Sequence, residues 1–383
     1  MGEVLVKMQS WLVALLVGLG QSALLVSLPL LVEHTAVSAR GWTLLIALGS
    51  IMFMPAAPLW GGWGDRHGYR RALLICLVGY ALSYAVLAIG AQQHYGALAW
   101  LILARVIYGP ATAGLVTNVQ AWTVAMAEPG KQVHALAIVS MSLNVGRIIG
   151  PVLASLLVPL HWTGPMWGAV AMAVLVFPLV WRLPEPPATS RQGQASEPPV
   201  VPQRVWLGAA LGLACLMAII PYLLPMHLQL ELTYDAEAAS RWMGIVLTLV
   251  ALAMLAAQLV LKAHAAPARL MVPGLALMLG GLPLIVFGPH ITVLIGGIVL
   301  LAAGAAWITP GYTAAYVGRG PRGKLSGQLQ SMHTLGYGLA AVLVLPALPN
   351  ALHWGWLAAL GMLGLLAGSV WLGKRDRATI TSR

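Results

Sequence analysis

The stretch Gly61-Gly-Trp-Gly-Asp-Arg-His-Gly-Tyr-Arg-Arg71 lies between two long apolar segments, near residues 41–61 and 71–91. Each segment has roughly the 20 residues that a helix needs to cross a hydrocarbon layer of ~30 Å. Between residues 41 and 91, charged residues occur only within the quoted stretch. The stretch is therefore predicted to be a short basic loop between two membrane-spanning helices.

The composition of the whole chain is typical of a protein surrounded by lipid. Of its 383 residues, 60% are hydrophobic and 8% are charged, and the mean hydropathy is +0.85. Because lipid offers no hydrogen bonds to the backbone, helices are favoured. Apolar runs predict twelve spans, near residues 10–32, 41–61, 71–91, 96–125, 132–159, 163–182, 205–229, 240–261, 269–288, 291–316, 325–346 and 351–373. The expected fold is an all-α integral membrane protein with twelve transmembrane helices.

Lysine and arginine are distributed very unevenly between alternate loops. If the N-terminus is cytoplasmic, seventeen basic residues fall on the cytoplasmic side and only Arg40 and Arg241 on the other. Cytoplasmic loops carry the excess of Lys and Arg, so both termini are predicted to be cytoplasmic. This distribution also accounts for the net charge of +11 without a nucleic-acid partner.

Residues 183–204 form the only long polar, proline-rich stretch of the chain. Such a composition is typical of a flexible linker. We expect it to join an N-terminal six-helix bundle, residues 1–182, to a C-terminal one, residues 205–383. Two tethered bundles suggest rocking about a central binding site.

Three motifs follow one another along the first half. The 61–71 loop resembles the signature loop G-x-L-x-D-R-x-G-R-R of the major facilitator superfamily. The run 101–109 is similar to the second motif of that family, with a membrane arginine followed four residues later by glycine. The run 144–155 resembles the element G-x-x-x-G-P-x-x-G-G, except that its last two glycines are Ala154 and Ser155.

The resemblance implies the drug and metabolite:proton antiporter branch of that family, with a role for each motif. A charged latch loop is implied at Asp65, Arg66, Gly68 and Arg70, proton coupling at Arg105, and a hinge at Gly146, Gly150 and Pro151. The matching loop of the second half, 262–269, lacks the signature pattern.

Polar residues inside the apolar runs are the candidate ligands for a substrate. They are Gln21, Gln120, Asn144, Arg147, His227, Gln330, His333 and Tyr337, with Ser140, Ser326, Thr309 and Thr313 as further polar residues. None of the ten acidic residues falls clearly inside a span. We therefore expect an electropositive cavity that accepts an anionic substrate. Glu33, His227 or His333 could carry the proton, since histidine has a pKa near ~6.5.

The sequence excludes several other functions. It offers no H-E-x-x-H, no G-x-S-x-G and no carboxylate pair within a span, so an enzyme is not expected. Cys76 and Cys215 lie about 140 positions apart in apolar runs, which predicts no disulfide, metal site or cofactor. A channel or a sensor stays open, because hydropathy alone does not show turnover.

The preferred interpretation is a monomeric, proton-coupled exporter of a small organic compound in a bacterial inner membrane. The substrate is expected to be anionic, for example a carboxylate-type siderophore. A multidrug efflux pump and an uptake symporter of a small organic anion are the alternatives.

Overall fold

The computed structural model of the chain describes residues 2–93, 95–127, 132–185, 204–262, 270–288, 290–317, 322–348 and 351–381. Within these ranges the backbone forms twelve α-helices and short helical turns, and no strand. A helix satisfies its own backbone hydrogen bonds, which lipid cannot do. The expected all-helical class is confirmed.

The helices follow the apolar runs closely. They are α1 (Gly2–His34), α2 (Ala39–His67), α3 (Tyr69–Ala91), α4 (Ala97–Met126), α5 (Gln132–Leu157), α6 (Gly164–Trp181), α7 (Val205–Leu230), α8 (Ala236–Lys262), α9 (Met271–Phe287), α10 (Ile291–Val317), α11 (Arg322–Val344) and α12 (Leu352–Thr381). Among the described residues, nine of these helices are long and apolar enough to cross a membrane. In α5, α9 and α11 the described apolar segments are shorter: Val145–Leu157, Met271–Phe287 and Ser331–Ala347.

Helix contacts divide the chain into two compact units. The N-terminal unit comprises Met1–Gln194 and Asp235–Thr248, and the C-terminal unit comprises Ala195–Tyr234 and Leu249–Arg383. The first part of α8 thus groups with the N-terminal unit, where the Ser240 hydroxyl donates to the Val26 carbonyl oxygen at 2.7 Å. Residues 186–203 of the predicted linker lie outside the described residues.

Within the N-terminal unit, α1 packs on α5 and α6, α3 packs on α4 and α6, and α2 packs on α4. Within the C-terminal unit, α7 packs on α11 and α12, and α9 packs on α10. Large apolar side chains such as Leu59 and Val174 are exposed on helix surfaces. Such exposure is expected of helices whose outer face meets lipid.

The contact between α1 and α5 is a close backbone approach at the predicted hinge motif. A Cβ atom on Gly146 would overlap the Leu15 carbonyl oxygen, and one on Gly150 would lie 2.8 Å from the Leu19 carbonyl oxygen. Only glycine leaves room for these backbones at such a distance. The motif therefore fixes the position of α5 against α1, and with it the position of Arg147.

Candidate functional site

Arg147 and Gln21, predicted independently from α5 and α1, are in direct contact. The Arg147 guanidinium donates through Nε and Nη2 to the Gln21 Oε1 atom, at 3.2 and 3.0 Å. Both side chains are half-buried inside the N-terminal unit. Placing an arginine in the membrane costs free energy unless its side chain faces a polar interior. Here a neutral amide oxygen accepts hydrogen bonds from the guanidinium.

Arg105 on α4 belongs to the same unit and is almost completely buried, with 2% of its surface exposed. Its guanidinium carbon lies 4.6 Å from the centroid of the Tyr108 ring. A cation over an aromatic face at this distance is attracted by the ring electrons. Its Nε and Nη2 atoms are buried and have no hydrogen-bond partner among the described residues.

Three tyrosines that the sequence interpretation did not select complete this cluster. Tyr108 packs edge-on against Tyr84, with ring centroids 5.7 Å apart, and Tyr84 lies 4.9 Å from Tyr80. The Tyr80 hydroxyl donates to the Leu16 carbonyl oxygen at 3.1 Å. Their spacing places Tyr80 with Tyr84, and Arg105 with Tyr108, on shared helix faces. This spacing of three or four residues was the sequence signal that could have identified the tyrosines.

Tyr108 and its neighbouring tyrosines connect the two arginines. The Tyr108 ring faces Arg105 and packs against Tyr84. The hydroxyls of Tyr84 and Tyr80 lie against Gly20 of α1, next to Gln21. The arrangement therefore runs from Arg105 through Tyr108 and the two other tyrosines to Gln21 and Arg147. These six residues are called the arginine–tyrosine cluster below.

Every acidic side chain in the described part of the chain lies at or near a helix end or in a loop. Glu33, at the outer end of α1 in the predicted topology, has 56% of its side chain exposed, 3.8 Å from the His34 Nδ1 atom. The others are Asp65, Glu185, Glu231, Asp235 and Glu237. No described carboxylate thus lies near the middle of a span to offset the charge of Arg105.

The 61–71 stretch, predicted to be a loop, is helical except at Gly68, where α2 ends and α3 begins. Its contacts lie within the N-terminal unit. The Tyr69 hydroxyl donates to Asp65 Oδ1 at 2.6 Å, while Arg66 is exposed. The Arg70 backbone N–H donates to Glu185 Oε1 at 3.0 Å, and its Nη1 atom lies 3.4 Å from the Leu183 carbonyl oxygen. Gly68 has a φ of 100°, which side chains rarely adopt.

A second polar group lies in the C-terminal unit. The Tyr312 hydroxyl is 2.6 Å from the His333 Nε2 atom, linking α10 to α11. Tyr337, one helical turn further along α11, is 39% exposed. The structure thus brings His333 together with a tyrosine that the sequence interpretation had not selected.

The other predicted ligands belong neither to the arginine–tyrosine cluster nor to the Tyr312–His333 pair, or their side chains lie outside the described residues. His227 is 6% exposed and packs edge-on against Trp356, with ring centroids 5.9 Å apart. Gln120 is half-buried on α4. The side chains of Asn144 and Gln330 lie outside the described residues.

Neither cysteine has a contact that suggests chemistry. Cys76 and Cys215 are buried free thiols. In the part of the chain that the structure describes, no group of three His, Cys, Asp or Glu residues could hold a metal ion.

Comparison with known proteins agrees with this architecture. Segments of the chain are similar to the class E tetracycline resistance protein of Escherichia coli, 32% identical over 141 residues, and to the bacillibactin exporter of Bacillus subtilis (strain 168), 26% identical over 155 residues. These segments cover 36% and 40% of this chain, and 33% and 39% of the relatives. The chain thus matches well under half the length of either relative.

Solved structures share the fold over nearly the whole chain. The human organic anion transporter MFSD10 superposes with a TM-score of 0.71 at 21% sequence identity, covering 97% of this chain and 100% of that one. The sequence model of the Major Facilitator Superfamily matches residues 10–341. With this match over most of its length, the chain belongs to the Major Facilitator Superfamily of membrane transporters.

Proposed function

We propose that this transporter exports a small organic compound that carries an acidic group. The observation that carries the proposal is the pairing of Arg147 with the neutral Gln21 amide inside the N-terminal unit. Arginine keeps its charge in proteins, so the pair offers a permanent cation to an entering anion. Two similar proteins, a tetracycline resistance protein and a bacillibactin exporter, support the outward direction.

The proposal includes the topology expected of an exporter that works by alternating access. Both termini are cytoplasmic, the two six-helix bundles rock about a central site, and residues 183–204 tether them. Asp65, Arg66, Gly68 and Arg70 latch the cytoplasmic side, and Gly146, Gly150 and Pro151 act as the hinge. The protein works as a monomer in a bacterial inner membrane, with no nucleic acid or cofactor.

The energy source in this proposal is the proton gradient. Glu33 and Arg105 are the proposed coupling residues, with His227 and His333 as further proton carriers. Glu33 is exposed at a helix end and can exchange protons with water. Arg105 would act through its fixed charge, because a guanidinium does not release its proton.

Transport by the purified protein in proteoliposomes tests the proposal. Labelled acidic and cationic compounds are offered with an imposed proton gradient, with and without an uncoupler. We expect Arg147→Gln to lower transport of acidic compounds by at least about 10-fold, because a hydrogen bond to a charged group is lost. Transport of every compound at the wild-type rate in this variant would contradict the proposal.

Arg241→Gln is the matched control. Arg241 is exposed on α8 and pairs with Glu237 one turn away, and such surface pairs contribute little. This variant should transport acidic compounds as the wild type does.

Multidrug efflux is the second candidate function. The buried tyrosines Tyr80, Tyr84 and Tyr108 favour it, because aromatic faces bind organic cations. Preference for cationic compounds in the same assay would favour a multidrug pump. Net uptake driven by the proton gradient would instead favour an anion symporter.

A further inference from the structure

One edge of the Arg105 guanidinium, formed by Nε and Nη2, donates no hydrogen bond to the described residues. The Nε and Nη2 atoms form the side of a guanidinium that holds a carboxylate or phosphate through two parallel hydrogen bonds. In Arg147 these same two atoms donate to Gln21. In Arg105 both are buried and have no hydrogen-bond partner among the described residues.

A purely structural arginine would be expected to have these donors satisfied. Buried polar groups almost always find a partner, and leaving a charged donor unpaired is especially costly. The Tyr108 ring stabilises the charge of Arg105. It cannot accept the two parallel hydrogen bonds that Nε and Nη2 would donate to an oxyanion. The unmet donors therefore suggest a ligand that is bound only during the transport cycle.

The Arg147 end of the cluster supplies a second cation. The Tyr108 ring lies over Arg105 and packs on Tyr84, whose hydroxyl lies against Gly20, next to the Gln21 that holds Arg147. Both arginines thus border the same group of tyrosines, and one compound of modest size could span both guanidinium groups. The positive charges of the two arginines repel each other, and a single negative group would neutralise only one of them.

We propose that the transported compound carries two acidic groups, one bound by Arg105 and the other by Arg147. This inference rests on the proposed anion export and adds to it the number of charges that the site recognises. The acidic group on Arg105 is a carboxylate or a similar planar oxyanion, because the unpaired Nε and Nη2 edge matches that geometry. Tyr108 positions Arg105 for this task.

Binding of simple acids to the purified wild-type protein provides the test. The probes are linear dicarboxylates of five to ten carbons, the monocarboxylates of the same lengths, and the matching diamines. Binding is measured by calorimetry or by the rise in Tm. We expect at least one dicarboxylate to bind about 10-fold or more tightly than its monocarboxylate.

Variants identify the residue responsible for the preference. Arg105→Gln should remove the preference, so that the dicarboxylate binds no more than about 2-fold more tightly than its monocarboxylate. Arg105→Lys keeps the charge but loses the two-donor edge, and should retain only part of the preference. The Tm without ligand shows that each variant is folded, and Arg241→Gln should keep the full preference.

The outcomes separate this inference from the function on which it rests. Three outcomes would each overturn the inference. The first is equal binding of mono- and dicarboxylates by wild type, and the second is a preference that survives in folded Arg105→Gln. The third is the absence of dicarboxylate binding. In the first two cases anions still bind, so the proposed function stands. If only diamines bind, the proposed function fails as well.

Discussion

At the scale of single residues, a neutral group contacts each of the two membrane arginines. Arg147 meets an amide oxygen and Arg105 meets an aromatic ring. A carboxylate in either place would form an internal ion pair and compete with an anionic substrate. A neutral contact orients a guanidinium without cancelling its charge.

The sequence allowed part of this site to be predicted. Arg105, Arg147 and Gln21 are conspicuous because charged and amide side chains are expensive in lipid. Tyr80, Tyr84 and Tyr108 were missed because a tyrosine in an apolar run is equally compatible with packing against lipid or other helices. Tyr108 lies one turn from Arg105 on the same helix, whereas the approach of Tyr80 and Tyr84 depends on the long-range packing of α3 on α4.

Tyr108→Phe removes only the hydroxyl and should leave binding of acidic compounds within about 2-fold of wild type, because the ring that faces Arg105 remains. Its Tm without ligand should stay close to wild type. Tyr108→Leu removes the ring as well and should lower both affinity and Tm. Calorimetry and thermal unfolding check these effects, and equal affinities in all three proteins would refute a positioning role.

At the scale of elements, backbone proximity between α1 and α5 sets the position of the arginine–tyrosine cluster. The sequence indicated small residues at Gly146 and Gly150, but not which helix they would face. Only the fold shows that α1 is the partner. Since Gln21 and Arg147 lie on these two helices, their pairing depends on this contact.

Gly150→Ala should therefore destabilise the protein by about 1–3 kcal/mol, because overpacking forces the helices apart. Gly364→Ala is the matched control, since a Cβ at that position of α12 would meet nothing within 4 Å. Thermal unfolding in detergent should show a lower Tm for Gly150→Ala alone. Equal Tm values for both variants would rule out the close-approach explanation.

The end of α6 and the start of α3 are also joined. Glu185 accepts the Arg70 backbone N–H, and the Trp122 Nε1 atom donates to the Pro184 carbonyl oxygen at 2.8 Å. A carboxylate suits the positive N-terminal end of a helix. Residues 183–185, expected to belong to a flexible linker, are thus held on α3 and α4.

At the scale of the whole molecule, the twelve helices of the described residues, grouped in two units, agree with a family whose members transport solutes across membranes. The predicted orientation rests on the excess of arginine and lysine in alternate loops, since loops with such an excess are usually cytoplasmic.

Cysteine labelling in intact cells tests this orientation. Tyr95→Cys, at a 93% exposed position between α3 and α4, should react with a membrane-impermeant maleimide. Arg182→Cys, at the exposed end of α6, should react only after the cells are opened. The native Cys76 and Cys215 are buried and should contribute little. The reverse pattern would place both termini outside.

The sequence by itself determined the helical class, the positions of the helices along the chain and the family resemblance. These properties depend on local apolar length and on short motifs, which can be read without knowing what packs where. The tertiary structure alone decided that Gln21 meets Arg147, that Tyr84 packs against Tyr108, and that Glu185 reaches Arg70. Each of these contacts joins side chains whose approach is set by the packing and backbone geometry of the folded unit.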